Sequence, residues 1–143
     1  SYNALMLALN GRTLDIWLAS LEERLAGREN DRLDAAIEAY FDFALGRRHA
    51  WTALYDFRLP EGELPSESYR EKVAAITGVI VREIAAVLPS DARDEALPLA
   101  RSLLASVHGH CFFALNGTFT MLGEDDPVGA AKARVADALA RYS

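Results

Sequence analysis

The sequence predicts an all-α fold, a single helical bundle of about six helices spanning residues 1–143. Apolar residues recur at spacings of three and four through six separate segments, the period that gathers side chains on one face of a helix. No strand pattern competes: Phe112-Phe113 and Thr118-Phe119-Thr120 favour extended backbone but are too brief to pair into a sheet. Each segment is bounded by a residue that caps or breaks a helix.

The first segment runs from about Tyr2 to Ala26, with Leu7, Leu14, Leu18, Leu21 and Leu25 on one stripe and Gly27 as the stop. Asn10-Gly11 interrupts it, but the stripe stays in phase across the pair, so one continuous helix is expected. Asp31 is a favourable cap for the second segment, which carries Leu33, Ile37, Tyr40 and Ala44 before Gly46. A short third helix, about His49 to Phe57, turns Trp51, Leu54 and Tyr55 inward. The breaker-rich loop from Leu59 to Pro65 follows. Ser66 caps a fourth helix with Tyr69, Val73, Ile76, Ile80, Ile84 and Val87 in register, and Pro89 ends it. Ser90 opens a fifth helix to about Leu115, bent or delayed by Pro98 and closed by Asn116-Gly117. Asp126-Pro127 places a capping carboxylate before a first-turn proline, and the sixth helix shows Val128, Ala131, Val135, Ala138, Leu139 and Tyr142.

With 51% hydrophobic and 25% charged residues the chain has the composition of a globular domain. A net charge of -6 argues against this stretch holding a phosphate backbone unaided. The single cysteine, Cys111, excludes an internal disulfide and suits the reducing cytoplasm. The longest apolar run, Val73 to Val81, is far short of the roughly 20 residues that span a bilayer, so no membrane partner is expected. The first residue is Ser and the helical pattern begins at once, which reads as a chain whose N-terminal portion has been removed.

The last two helices read as an interface. From about residue 103 the fifth helix is apolar nearly all round, and the sixth is rich in alanine, which lets helix axes approach closely. Two helices from each of two copies would form a four-helix seam about a twofold axis. The residues expected there are Leu103, Val107, Gly109, Phe113, Val128, Ala131, Val135, Ala138, Leu139 and Tyr142. The competing expectation is that these faces pack within one subunit.

For a binding site, Trp17, Tyr40, Trp51, Tyr55, His108 and Phe112 come from four helices and together have the makeup of an apolar pocket with a few polar tips. His108 shares a helix face with Leu104, Cys111, Phe112 and Leu115 and needs a hydrogen-bond partner, a nearby backbone carbonyl being the plainest. His108, His110 and Cys111 do not have metal-ligand spacing, since residues two apart diverge on a helix. No metal, cofactor or catalytic constellation is expected.

The stretches from Tyr40 to Pro60 and from Ser106 to Gly117 resemble the C-terminal regulatory domain of TetR-family transcriptional regulators. The likeness is to the subgroup with a Trp…His-Gly signature: His108-Gly109 is present, while Leu104 stands where the tryptophan is expected. The segment from Asn3 to Trp17 is similar to the helix that, in this family, follows the DNA-binding domain, which would make residues 1–27 the connector. The resemblance implies a non-enzymatic homodimer that senses a small-molecule effector, with DNA bound only through an absent helix-turn-helix domain. The alternative is a helical interaction or scaffold module without a ligand, which would be packed solidly where the regulator has a cavity.

Overall fold

The computed structural model describes residues 1–143 as seven α-helices and no strand: α1 (Tyr2–Leu25), α2 (Arg32–Gly46), α3 (Arg48–Asp56), α4 (Glu67–Val87), α5 (Ala96–Leu115), α6 (Thr118–Leu122) and α7 (Pro127–Ala140). The all-α expectation is met, and the six long segments sit close to where the apolar period put them.

α1 passes through Asn10-Gly11 without a break. Asn10 is buried there, and its side-chain amide donates to the Ala53 carbonyl of α3 at 3.3 Å. A polar residue mid-helix is thus satisfied by a neighbouring helix end instead of by a turn of its own. At α2, Asp31 holds the cap position but with left-handed backbone (φ 53°) and no side-chain bond to the helix. Arg32 closes the turn instead, donating to the Leu25 carbonyl at 3.0 Å and pairing with Glu83 of α4 at 2.8 Å. Ser66 caps α4 as expected, accepting from the Tyr69 amide at 3.2 Å.

The fifth segment differs from a single helix. Ser90–Glu95 forms a 3-10 turn and the α-helix begins at Ala96. Pro98 therefore lies in the first turn, where its missing N–H has no helical partner to lose. A short helix, α6, occupies residues that include the β-prone Thr118-Phe119-Thr120 and that no expected helix covered. It fits between Gly117 (φ 83°) and Gly123 (φ 80°), whose left-handed backbones start and stop it. Asp126 caps α7 by accepting from the Gly129 amide at 3.0 Å. A Cβ at position 129 would collide with that carboxylate where it stands, so a side chain there would make the Asp126 carboxylate shift.

α1 packs on α2, α3 and α4, while α5 lies between α4 and α7. The core joins both sides through Leu21, Ile84 and Cys111, all essentially inaccessible. At the end of α4 the inward position passes from Val87, which is exposed, to Leu88, which is buried. The helix stops at Val87, and the extended backbone of Leu88 swings its side chain back to the core. No helix is long and apolar enough to cross a membrane.

Candidate functional site

A cavity of about 230 Å³ lies between the first five helices. α1 contributes Leu14 and Trp17, α2 contributes Tyr40 and Phe43, and α3 contributes Trp51, Leu54 and Tyr55. The opposite wall is α4, with Tyr69, Val73, Ile76, Thr77 and Ile80, and Leu104 of α5 completes it. A smaller apolar void of about 60 Å³ adjoins it, sharing Trp17, Tyr40, Ile80 and Leu104 and continuing to Leu103, Val107 and Val135. No charged side chain lines the larger cavity. The Thr77 hydroxyl, its smallest polar group, already donates to the Val73 carbonyl at 2.9 Å.

The wall is aromatic because three helices meet there with their large residues in register. Trp17 is edge-on to Tyr40, ring centroids 5.5 Å apart, and lies 5.3 Å from Phe43. Such contacts are favourable arrangements of ring quadrupoles. Flat rings meeting at angles leave spaces that aliphatic side chains do not fill.

A polar cluster backs one wall. The Tyr40 hydroxyl is 2.7 Å from the Tyr55 hydroxyl and 2.8 Å from His108 Nδ1. The His108 ring is stacked on Trp51 at 5.0 Å and lies 4.0 Å from Tyr55. Burial pushes the Tyr40 phenol far above its usual pKa, with the neighbouring Tyr55 adding to the rise, and burial also raises Tyr55. Burial lowers the His108 imidazole and pushes the Cys111 thiol up to about 12. All four groups are therefore neutral at physiological pH. Trp51 is only 4% exposed, and its indole N–H has no hydrogen-bond partner. The indole is close enough to the Tyr40 hydroxyl to favour its anion slightly, but outside bonding geometry.

Of the six residues expected in a pocket, Trp17, Tyr40, Trp51 and Tyr55 line this one. His108 lies behind them, bonded to Tyr40, so its partner is a hydroxyl from α2 and not the nearby carbonyl the sequence offered. Phe112 is outside: it is 47% exposed, one turn further along α5, with its ring parallel to His108 at 6.4 Å. The α4 wall had no signal in the sequence beyond an ordinary apolar stripe. His110 Nδ1 donates to the Ser106 carbonyl of its own helix at 2.7 Å and takes no part in the His108 cluster.

The ten residues expected at a subunit seam divide into three groups. Leu103, Val107, Ala131 and Val135 are buried inside the subunit, where α7 covers α5. Val128, Ala138, Leu139 and Tyr142 are half-buried at the edge of that contact, and the Tyr142 hydroxyl donates to Glu95 at 2.9 Å. Gly109 and Phe113 face outward. They share the outer surface with Ser102 and Ala105 of α5 and with Ala133, Ala136 and Ala140 of α7, all exposed. Beyond them Met121 and Leu122 of α6 are exposed as well.

Residues 33–139 match the family described as "Tetracyclin repressor-like, C-terminal domain". A solved structure of a protein with unknown function from Rhodococcus sp. RHA1 has the same fold, with a TM-score of 0.75 and 22% sequence identity. That match covers 98% of this chain and 74% of the other. No curated protein matches the sequence.

Proposed function

This chain belongs to the tetracyclin repressor-like C-terminal domain family, and from that premise we propose that it is the sensing and dimerising half of a transcriptional regulator. Membership makes it a regulatory domain at the level of the family. The finer reading is that a small apolar molecule enters the cavity and changes how a DNA-binding domain, attached ahead of α1, meets its operator. The cytoplasm is the setting this implies.

The cavity is the observation that carries the reading. An interaction module needs its bundle only to be solid, whereas this one keeps about 230 Å³ open between helices. α1 is placed to respond, because Leu14 and Trp17 form one wall while Asn10 ties the same helix to the Ala53 carbonyl at the end of α3. A ligand wedged between α1 and α3 favours one tilt of α1 over another. It shifts the equilibrium by the difference in its affinities for the two states, typically about 1–3 kcal/mol. DNA half-sites on one face are about 34–36 Å apart, so a modest change in tilt is magnified at the far end of the connector.

The seam would be the outer face of α5 and α7. Small residues at 102, 105 and 109 on one helix and at 133, 136 and 140 on the other allow close approach of a second pair of helices. The buried Leu103, Val107, Ala131 and Val135 support that face from beneath and are not part of it.

Both tryptophans of the chain lie in the cavity wall, so intrinsic fluorescence reports on its contents. Titration with a panel of small apolar compounds should shift or quench that emission and raise the unfolding temperature. A panel-wide absence of both effects would remove the sensing role. For the seam, Gly109→Glu is the cleanest probe, since a side chain there meets nothing within the subunit. It should leave helicity intact and halve the mass seen by sedimentation; an unchanged dimer, or a wild-type monomer, would refute the placement.

A further inference from the structure

We propose that molecules reach the cavity between α3 and α4, beside Tyr55 and Val73, and that the Tyr55 side chain is the gate of this entrance, held shut at its hydroxyl by Tyr40. This deepens the sensing reading and rests on it.

The exposure of the lining residues locates the mouth. Around the cavity only Tyr55 of α3 and Val73 of α4 are exposed, at 44% and 43%, while the others are buried or half-buried. The packing of the helices agrees. α3 lies on α1 and α2, and α4 lies on α1, α2 and α5, but α3 and α4 make no extended contact with each other. Along that line the cavity is closed by side chains and not by a seam between helices. The connection from α3 to α4 adds little cover. Between Arg58 and Pro65 its one internal backbone hydrogen bond runs from the Glu63 amide to the Pro60 carbonyl at 3.0 Å, and Leu64 is exposed.

Tyr55 is the movable side of this mouth, because it is fastened only at its tip. The side chain runs from an exposed position to a hydroxyl 2.7 Å from that of the buried Tyr40, and its ring lies 4.0 Å from His108. Swinging it outward gives up the contact with Tyr40 and hands the Tyr55 hydroxyl to water. Tyr40 keeps its bond to His108 Nδ1 at 2.8 Å, so no buried group is stranded. The open arrangement is thus a minor state within reach of the closed one. The helices on either side need not move. Trp51 anchors α3 in the core, and Asn10 of α1 holds the Ala53 carbonyl. On α4, Val73 stands between Lys72, paired with Asp15 of α1 at 2.5 Å, and the buried Ile76.

The rate at which a cavity thiol is modified reads the gate directly. In a chain whose native thiol is removed by Cys111→Ala, Ile76→Cys puts a thiol in the cavity wall. The probe is methyl methanethiosulfonate, which is small and neutral. Ala131→Cys in the same background lies beneath α7, away from the cavity, and reports general loosening. Adding Tyr55→Phe should speed modification at position 76 about fivefold, the equivalent of one ordinary hydrogen bond, and leave position 131 unchanged. Adding Val73→Trp should slow position 76 severalfold by standing a large ring in the mouth. A Tyr55→Phe effect that is equal at both thiols, or absent at position 76, overturns the gate. An unchanged rate in Val73→Trp overturns the entrance. Neither result touches the sensing reading, which is decided by the fluorescence titration of the wild-type chain. Should Ile76→Cys fail to fold, Leu14→Cys on α1 takes its place in the wall; should Tyr55→Phe fail, Tyr40→Phe removes the other hydroxyl of the pair.

Discussion

The two flanks of α5 are packed on different principles. Toward α7 the contact is made by Leu103 and Val107 of α5 against a helix rich in alanine, with Ala131 fully inaccessible and Val135 buried. Toward α1, α3 and α4 the residues are larger and flatter, and they leave a cavity backed by hydrogen-bonded hydroxyls. Small side chains fill space by letting backbones approach. Large rings hold backbones apart, and the gap is closed only if their shapes happen to be complementary. One flank is covered by an alanine-rich helix and the other holds the cavity.

The largest difference between the flanks should appear when volume is added. Ala131→Leu puts three carbons where nothing can move, and should destabilise the chain by about 1–3 kcal/mol, read as a lower urea midpoint. Ile76→Phe adds comparable bulk beside the cavity and should cost less than about 1.5 kcal/mol while abolishing the fluorescence response to apolar ligands. Equal losses from the two substitutions would mean the flanks are alike in packing and the cavity is no reservoir of free volume.

That contrast was half legible in the sequence. The helices were readable because each has its own period and its own punctuation: Ser66, Pro89 and Asp126-Pro127 mark ends by backbone chemistry that acts locally. α6 was not, since five residues carry too little period to outweigh the β-prone Thr118-Phe119-Thr120, and what makes the helix is a pair of left-handed glycines around it. Trp17, Tyr40, Trp51 and Tyr55 were readable as a pocket set because aromatics from separate helices are conspicuous. Val73, Ile76, Thr77 and Ile80 were not, because a cavity is a shortfall of volume among several elements and leaves no mark on any one of them. The apolar excess on α5 was real, but the alanines of α7 let that helix come close enough to cover Leu103 and Val107 from within. The outward face that remains is narrower than the composition implied.

A smaller effect separates the flanks by their hydrogen bonds. Tyr40→Phe strips the shared hydroxyl from both Tyr55 and His108 in a buried setting, and should cost about 1–3 kcal/mol. Tyr142→Phe removes the 2.9 Å bond to Glu95 on the α7 side, which is exposed, and should fall within about 0.5 kcal/mol of wild type. A double-mutant cycle of Tyr40→Phe with Tyr55→Phe should show strong non-additivity. Simple additivity would mean that the two hydroxyls are independent, and the cluster would lose its standing as a unit.

The smallest effect is the dependence on pH that His108 brings to the cavity flank. Burial lowers the His108 pKa from its ordinary 6.5, so between the folded value and 6.5 the unfolded chain binds more protons than the folded one. Stability therefore rises with pH across that window, is complete above it, and erodes as the solution is acidified below 6.5. His108→Asn keeps a polar atom near the Nδ1 position for Tyr40 but cannot titrate. The difference in unfolding free energy between wild type and His108→Asn should thus narrow or change sign in the variant's favour as pH falls from 7 toward 5, while carboxylates common to both cancel. A difference that stays constant over that range would place the imidazole in water at both ends of the transition.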